Sequence, residues 1–165
     1  MARDYYYAGG EKIPVARDLE HIAIDLSHEV SDALRSAWLR VKDAAQRLPG
    51  NVGLVRVADV PAALEETLEE AGALHPVYRH DGTTLVVLPE VRVEADAAQR
   101  RALLAAIDQG TIPASVEHAE GEQIVLRPGS GKSALAVANL VHERLHPRMA
   151  QARFMRIVPH LRTQR

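Results

Sequence analysis

The run Leu85-Val86-Val87-Leu88 is apolar at every position, and so is Ile124-Val125-Leu126. Successive side chains of a strand point to opposite faces of its sheet, so strands of this kind need cover on both sides. Helices on one face of a single sheet cannot provide it, and the other face must meet a second layer or a partner. The chain has 165 residues, enough for two small units packed on each other without metal or disulfide support. With 47% apolar but only 4% aromatic residues, the core has to be built from Ala, Val, Leu and Ile. Cysteine is absent, which excludes disulfides, thiolate metal sites and a cysteine nucleophile.

Turn and cap residues divide the chain into elements. Tyr5-Tyr6-Tyr7-Ala8-Gly9-Gly10-Glu11-Lys12-Ile13 predicts an N-terminal hairpin turning at the glycines. Ile22, Ile24 and Leu26 alternate as in a half-buried strand. Leu34, Trp38, Val41, Ala45 and Leu48 form one stripe of a helix over 31–48 that stops at Pro49-Gly50. A strand over 52–57 follows, then a helix capped by Asp59, with Leu64, Leu68 and Ala71 inside and Gly72 at its end. Extended segments over 75–79 and 85–94 flank Asp81-Gly82, and Asp96 with Gln99 makes a capping box for a helix closing at Gly110. A hairpin over 114–127, a helix over 133–145 and a last strand over 152–158 complete a β-α-β-β-α-β order.

The first half repeats this order with its second strand missing or reduced, because only Pro49-Gly50-Asn51 separates helix from strand. Val52-Gly53-Leu54-Val55-Arg56 echoes Gln123-Ile124-Val125-Leu126-Arg127, and Leu74-His75-Pro76 echoes Leu145-His146-Pro147. A spacing of about 71 residues suggests duplication. The expected fold is α+β with two ferredoxin-like (βαββαβ) repeats. The N-terminal hairpin and an incomplete first repeat span 1–82, and the second repeat spans 83–165.

His142-Glu143-Arg144-Leu145-His146 matches H-E-x-x-H, in which two histidines one helical turn apart bind zinc and the glutamate activates water. The inward stripe Ala134, Val137, Ala138, Val141 and Leu145 puts His142 on the helix flank and Glu143 and His146 further out. Pro147 ends the helix, no Asp or Glu follows Glu143, and His160 or His118 remain as third ligands for the zinc reading. Surface histidines are the preferred reading, a zinc peptidase the alternative, and no cofactor is expected. Gly129-Ser130-Gly131-Lys132-Ser133 looks like the end of a P-loop, but Leu126 stands where the first glycine belongs, which leaves a turn capped by Ser130 or Ser133. Pro128 stands where the nucleophile elbow G-x-S-x-G has its first glycine. RNA binding is disfavoured, since the strands over 52–57 and 123–127 offer no aromatic ring for base stacking. Trp38 reads as core, and Glu65, Glu66, Glu69 and Glu70 as a solvated helix face. No stretch approaches the roughly 18 apolar residues of a membrane span, and Met1 to Gly10 lacks the pattern of a signal peptide, so a cytoplasmic protein is expected.

Four segments carry a family likeness. They are Tyr-Tyr-Tyr-x-Gly-Gly-x-Lys at 5–12, Leu-Val-Val-Leu-Pro-Glu-Val-Arg-Val at 85–93, Ser-Ala-Leu-Ala-Val-Ala-Asn-Leu-Val-His-Glu-Arg at 133–144, and Ala-Arg-Phe-Met-Arg-Ile at 152–157. Together they resemble the N-terminal pro-region of bacterial subtilisin-like serine proteases. The resemblance implies a ferredoxin-like module that assists folding of the protease and then inhibits it, with a substrate-like tail entering the active-site cleft. Here the tail would be Pro159, His160, Leu161, Arg162, Thr163, Gln164 and Arg165. The resemblance further implies that Glu117, Glu120 and Glu122 cap helices of the bound protease, where a carboxylate gains from the helix dipole. The Ser-, His- and Asp-bearing motifs of the subtilisin catalytic domain are absent from the sequence. The expected role is therefore non-catalytic, an inhibitor or folding assistant of a subtilisin-like protease, with an adaptor for another protein as a further alternative.

Overall fold

In the computed structural model, which describes residues 4–129 and 133–158, the tyrosine run forms a hairpin of β1 (Asp4–Ala8) and β2 (Glu11–Arg17). The chain then builds a first unit: β3 (His21–Asp25), α1 (Arg35–Ala44), β4 (Gln46–Leu48), β5 (Val52–Arg56), α2 (Ala62–Glu70) and β6 (Leu74–His75). It continues with β7 (Val77–His80), β8 (Thr83–Glu94), α3 (Ala97–Asp108), β9 (Ala114–Glu120), β10 (Gln123–Pro128), α4 (Ala134–Leu145) and β11 (Met149–Ile157). The described residues form an α+β protein with four helices and two antiparallel sheets, of seven and four strands. No described helix is long and apolar enough to cross a membrane.

The smaller sheet has the order β4-β5-β3-β6. The larger runs β1-β2-β7-β8-β10-β9, with β11 on the other edge of β8. One edge of β8 thus serves two strands, β7 along Thr83–Val86 and β10 along Val91–Glu94. Pro89 lies in the gap between them, where its missing N–H breaks no ladder bond to either strand. The register against β11 shifts at the same place, between Ala152 and Phe154.

Three apolar clusters follow from the alternation of the strands. Ile24, Trp38, Val41, Val55, Leu64 and Leu68 pack α1 and α2 on the smaller sheet. Leu85, Val87, Val91, Val93, Leu103, Ile124, Leu126, Val137 and Val141 pack α3 and α4 on the larger one, with Tyr6 and Val15 of the hairpin. Ala23, Val52, Val77 and Val86 join the helix-free faces of the two sheets, flanked by Leu48, Leu54, Leu88, Met155 and Ile157. The layers are therefore helices, four strands, seven strands, helices. Val86 and Leu88, the outward parity of the run that demanded cover, receive it from the smaller sheet.

Local structure revises several expectations. The helix over 31–48 ends at Ala44, because Gln46–Leu48 pairs with β5 and Leu48 turns into the inter-sheet cluster. The strand read as missing or reduced is thus present, three residues long. The turn after it places Gly50 and Asn51 at φ 75° and 58°, a conformation those two residue types tolerate. Asp59 does not cap α2, whose N-cap is Pro61 without a side-chain bond. The segment over 75–79 is two strands in different sheets, separated by Pro76. Asp96 and Gln99 do form the reciprocal capping box. The first echo occupies β5 and β10. In the second, Leu74-His75 is strand whereas Leu145 ends a helix and His146 is left-handed at φ 45°.

The hairpin joins the larger sheet through Ala16 and Arg17, which pair with Arg79 and Tyr78. Residues 18–76 are thus an excursion between two strands that are neighbours in one sheet.

Candidate partner-binding surface

Beyond Pro89 the outward parity of β8 changes from Val86 and Leu88 to Glu90, Arg92 and Glu94. Cross-strand pairing extends these residues into rows. Glu120, Gln123, Glu94 and Met149 lie side by side on β9, β10, β8 and β11, and His118, Val125, Arg92 and Gln151 form the next row. Residues directly opposite share a face. Their neighbours Ile124 and Val93 point into the helix-backed core, so both rows occupy the helix-free face. Glu120, Gln123, His118 and Arg92 are exposed, and Val125 and Met149 half-buried. A hollow of about 340 Å³ opens here, lined by Arg92, Glu94, Gln123, Val125 and Met149 among others.

Ion pairs order the polar side chains around it. Arg153 meets Glu90 at 2.9 Å, Arg92 meets Glu90 at 3.4 Å and Arg148 meets Glu122 at 3.0 Å. The Arg148–Glu122 pair joins exposed groups and contributes only about 0–1 kcal/mol, whereas Glu90 is half-buried and held by two arginines.

Of the acidic residues singled out in the sequence, Glu120 belongs to the first row, Glu122 to the adjoining turn, and Glu117 to a bulge where β9 slips against β10. All three are exposed. Pro159, His160, Leu161, Arg162, Thr163, Gln164 and Arg165 lie outside the described residues. β11 ends at Ile157 opposite Thr84, whereas Met149 lies opposite Glu94. β11 therefore ends at the far end of β8 from Glu120 and Glu122, about 30 Å away at the rise of a strand.

The H-E-x-x-H segment packs against the N-terminal hairpin. The hydroxyls of Tyr5 and Tyr7 both donate to one oxygen of Glu143, the second at 3.0 Å. The Tyr7 ring stacks on His142 at 3.9 Å, and the Asn139 amide donates to the Tyr5 carbonyl at 2.8 Å. The hydrogen bond to Glu143, with burial and the carboxylate charge, pushes the Tyr5 phenol up to about 12. Tyr5's hydrogen bond in turn holds Glu143 below the ordinary carboxylate value, against the opposing effect of burial. His146 lies past the last helical turn, its ring 6.1 Å from that of His142. Among the described residues no three His, Asp or Glu side chains form a metal-binding group. His118 lies on β9 beside Glu120 at 3.6 Å.

Ser133 caps α4, its hydroxyl accepting from the Leu135 N–H at 3.2 Å, while Ser130 to Lys132 lie outside the described residues. Trp38 is buried in the first unit. In the sequence Val125 and Arg92 stand out only as members of longer strand runs, and Met149 and Gln151 not at all. The signal available was the loss of two-sided apolarity after Pro89.

Fold and surface define an α+β protein whose larger sheet is covered over one half of a face and open over the other. Set against known proteins, the chain matches no family model, no curated protein and no solved structure.

Proposed function

We propose that the chain is a pro-region-like protein that binds a subtilisin-like serine protease, inhibiting it or assisting its folding, through the open half of the larger sheet. The observation that carries this reading is the arrangement β8-α3-β9-β10-α4-β11 with the spatial order β11-β8-β10-β9, whose helix-free face is uncovered at Glu120, Gln123, Val125, Arg92 and Met149. That order is the one a ferredoxin-like module has, and the first unit follows it as β6-β3-β5-β4. On this reading the chain is two ferredoxin-like repeats. The first spends its sheet face on covering the second, and the second keeps half of its own for the protease. In the pro-regions that the sequence resembles, the sheet docks and the tail then lies in the cleft as a poorly released substrate. Affinity and inhibition are thus separable.

The test is titration of the purified chain into bacterial subtilisin-like proteases, reading residual hydrolysis and the refolding yield of denatured protease. The expected result is stoichiometric inhibition or an increased yield. Val125→Arg should weaken inhibition at least tenfold, about 1.4 kcal/mol, with an unchanged melting temperature. Deletion of 159–165 should weaken inhibition without affecting sheet docking. If no protease is inhibited or refolded better, or if the chain is merely digested as an ordinary substrate, the reading fails.

A further inference from the structure

The chain passes between the two sheets twice, from Arg17 to His21 and from His75 to Val77. Both crossings meet at one neck, where Arg17 pairs with Tyr78 and the Asp18 N–H donates to the Val77 carbonyl at 2.9 Å. Among the described residues only two polar or charged side chains belong to buried residues, Asp18 and His75, and each stands at one of these crossings. Asp18 is well satisfied. Its carboxylate accepts from the N–H groups of Glu20 and His21 at 2.9 and 3.1 Å, from the Arg79 guanidinium at 3.0 Å, and lies 3.1 Å from His21 Nδ1.

His75 is placed differently. It pairs with Ala23 across β6 and β3, so it shares the face of Ala23 and points into the seam between the sheets. Around that seam β5 presents Val52 and Leu54, β7 presents Val77, β8 presents Val86 and Leu88, and β11 presents Met155 and Ile157. The charged group acting on His75 is Asp25, two residues from Ala23 on β3, which in turn feels His28 and is hydrogen-bonded by Ser27. An imidazolium in this seam would lose its water and gain one partly exposed carboxylate. Consistently, burial holds His75 below the ordinary histidine value, with Asp25 opposing.

We infer that the neck is an acid-responsive hinge, in which protonation of His75 parts the smaller sheet from the larger and uncovers Val86, Leu88 and Met155. The two helix-backed clusters are separate from the seam, so parting it leaves both units folded. Because residues 18–76 leave and return through a single neck, the movement breaks no strand pairing within either sheet. The sign follows from the lowered pKa. The unfolded or opened chain binds the proton more readily, so the closed seam is fully stable above the ordinary histidine value of about 6.5 and weakens as pH falls below it. Asp18 is not the group that responds in that window, since the hydrogen bonds from Glu20, Arg79 and His21 hold its carboxyl below the ordinary carboxylate value.

The chain has no cysteine, so two introduced ones are unique labelling sites. Arg40→Cys on α1 and Arg101→Cys on α3, both exposed, would carry spin labels whose separation is measured at about pH 7.5 and pH 5.5, on either side of the histidine value. The expected result is a narrow distance distribution at the higher pH and a longer, broader one at the lower, with far-UV circular dichroism unchanged. In His75→Gln the low-pH distribution should match the high-pH one. A distance independent of pH in the parent, or the same lengthening in His75→Gln, overturns the inference. Should His75→Gln fail to fold, NMR titration of the His75 ring in the parent replaces it, and a midpoint that does not coincide with the lengthening overturns the inference equally. Neither readout involves a protease, so the result stands apart from the proposed function.

Discussion

Val86 and Val125 stand on the same face of one sheet, and both come from runs that are apolar on both parities. Val86 is fully buried beneath the smaller sheet, whereas Val125 is half-buried beside His118 and Arg92. The residue is the same, so the difference lies in its row. Val86 has Val77 and Met155 as cross-strand partners, and a row of that composition gains about 25 cal/mol for each Å² it withdraws from water. Around Val125, covering the face would strip water from Arg92, Gln123 and His118, and only a partner offering polar groups of its own could offset that cost. One face of one sheet is thus interior at one end and interface at the other.

The same charge placed at both valines should separate the two ends of the face most strongly. Val86→Asp should lose more than about 3 kcal/mol in urea unfolding, because a carboxylate would be buried without a partner, while Val125→Asp should change stability by less than about 1 kcal/mol. Equal losses would mean that the open half is as buried as the covered one. Next in size, Gly53→Ala disturbs the covering unit from its helix side, where a Cβ would meet Ala45 Cβ and Leu26 Cδ2 at 2.9 Å. Overpacking of this kind should cost about 1–3 kcal/mol and leave hydrogen exchange of β9 and β10 unaltered. Asp96→Ala, which removes the cap of α3 behind the open half, should cost about 1 kcal/mol by thermal melting.

The smallest effect concerns Asp18 at the neck. Burial alone would raise its carboxyl pKa, but the hydrogen bonds from Glu20, Arg79 and His21 outweigh it and hold the carboxyl below the ordinary carboxylate value. A carboxylate stabilised in this way contributes fully above the unfolded value and loses its contribution as pH falls through the folded one. The acid limb of the stability curve should therefore be shallower in Asp18→Asn than in the parent.

Much of this was legible in the sequence, and the reasons are local. The need for two layers could be read from Leu85 to Leu88, the cap from Asp96 and Gln99, and the change of character along β8 from Glu90, Arg92 and Glu94. What escaped depended on distance along the chain. Nothing near Arg17 announces that it will pair with Tyr78, and nothing near Glu143 announces two tyrosines from the opposite terminus. β4 escaped for a different reason: Ala44-Ala45-Gln46-Arg47 has good helix formers, and only the pairing with β5 draws 46–48 into a sheet. Glu120 could be named as a surface acid, but its row could not, since a row is a property of four strands in register.

The excursion of residues 18–76 between β2 and β7 also sets an order of events at the ribosome. The hairpin of β1 and β2 emerges first, yet the second edge of β2 has no neighbour until Val77–His80 has been made. Its aromatic contacts wait longer still: Tyr5 and Tyr7 for Glu143, and Tyr6 for Phe154, whose ring lies 4.9 Å from its own. Of these elements the first to be made is thus the last to be completed, and the second edge of β2, which carries Glu11, Lys12, Pro14 and Arg17, stays unpaired in the interval.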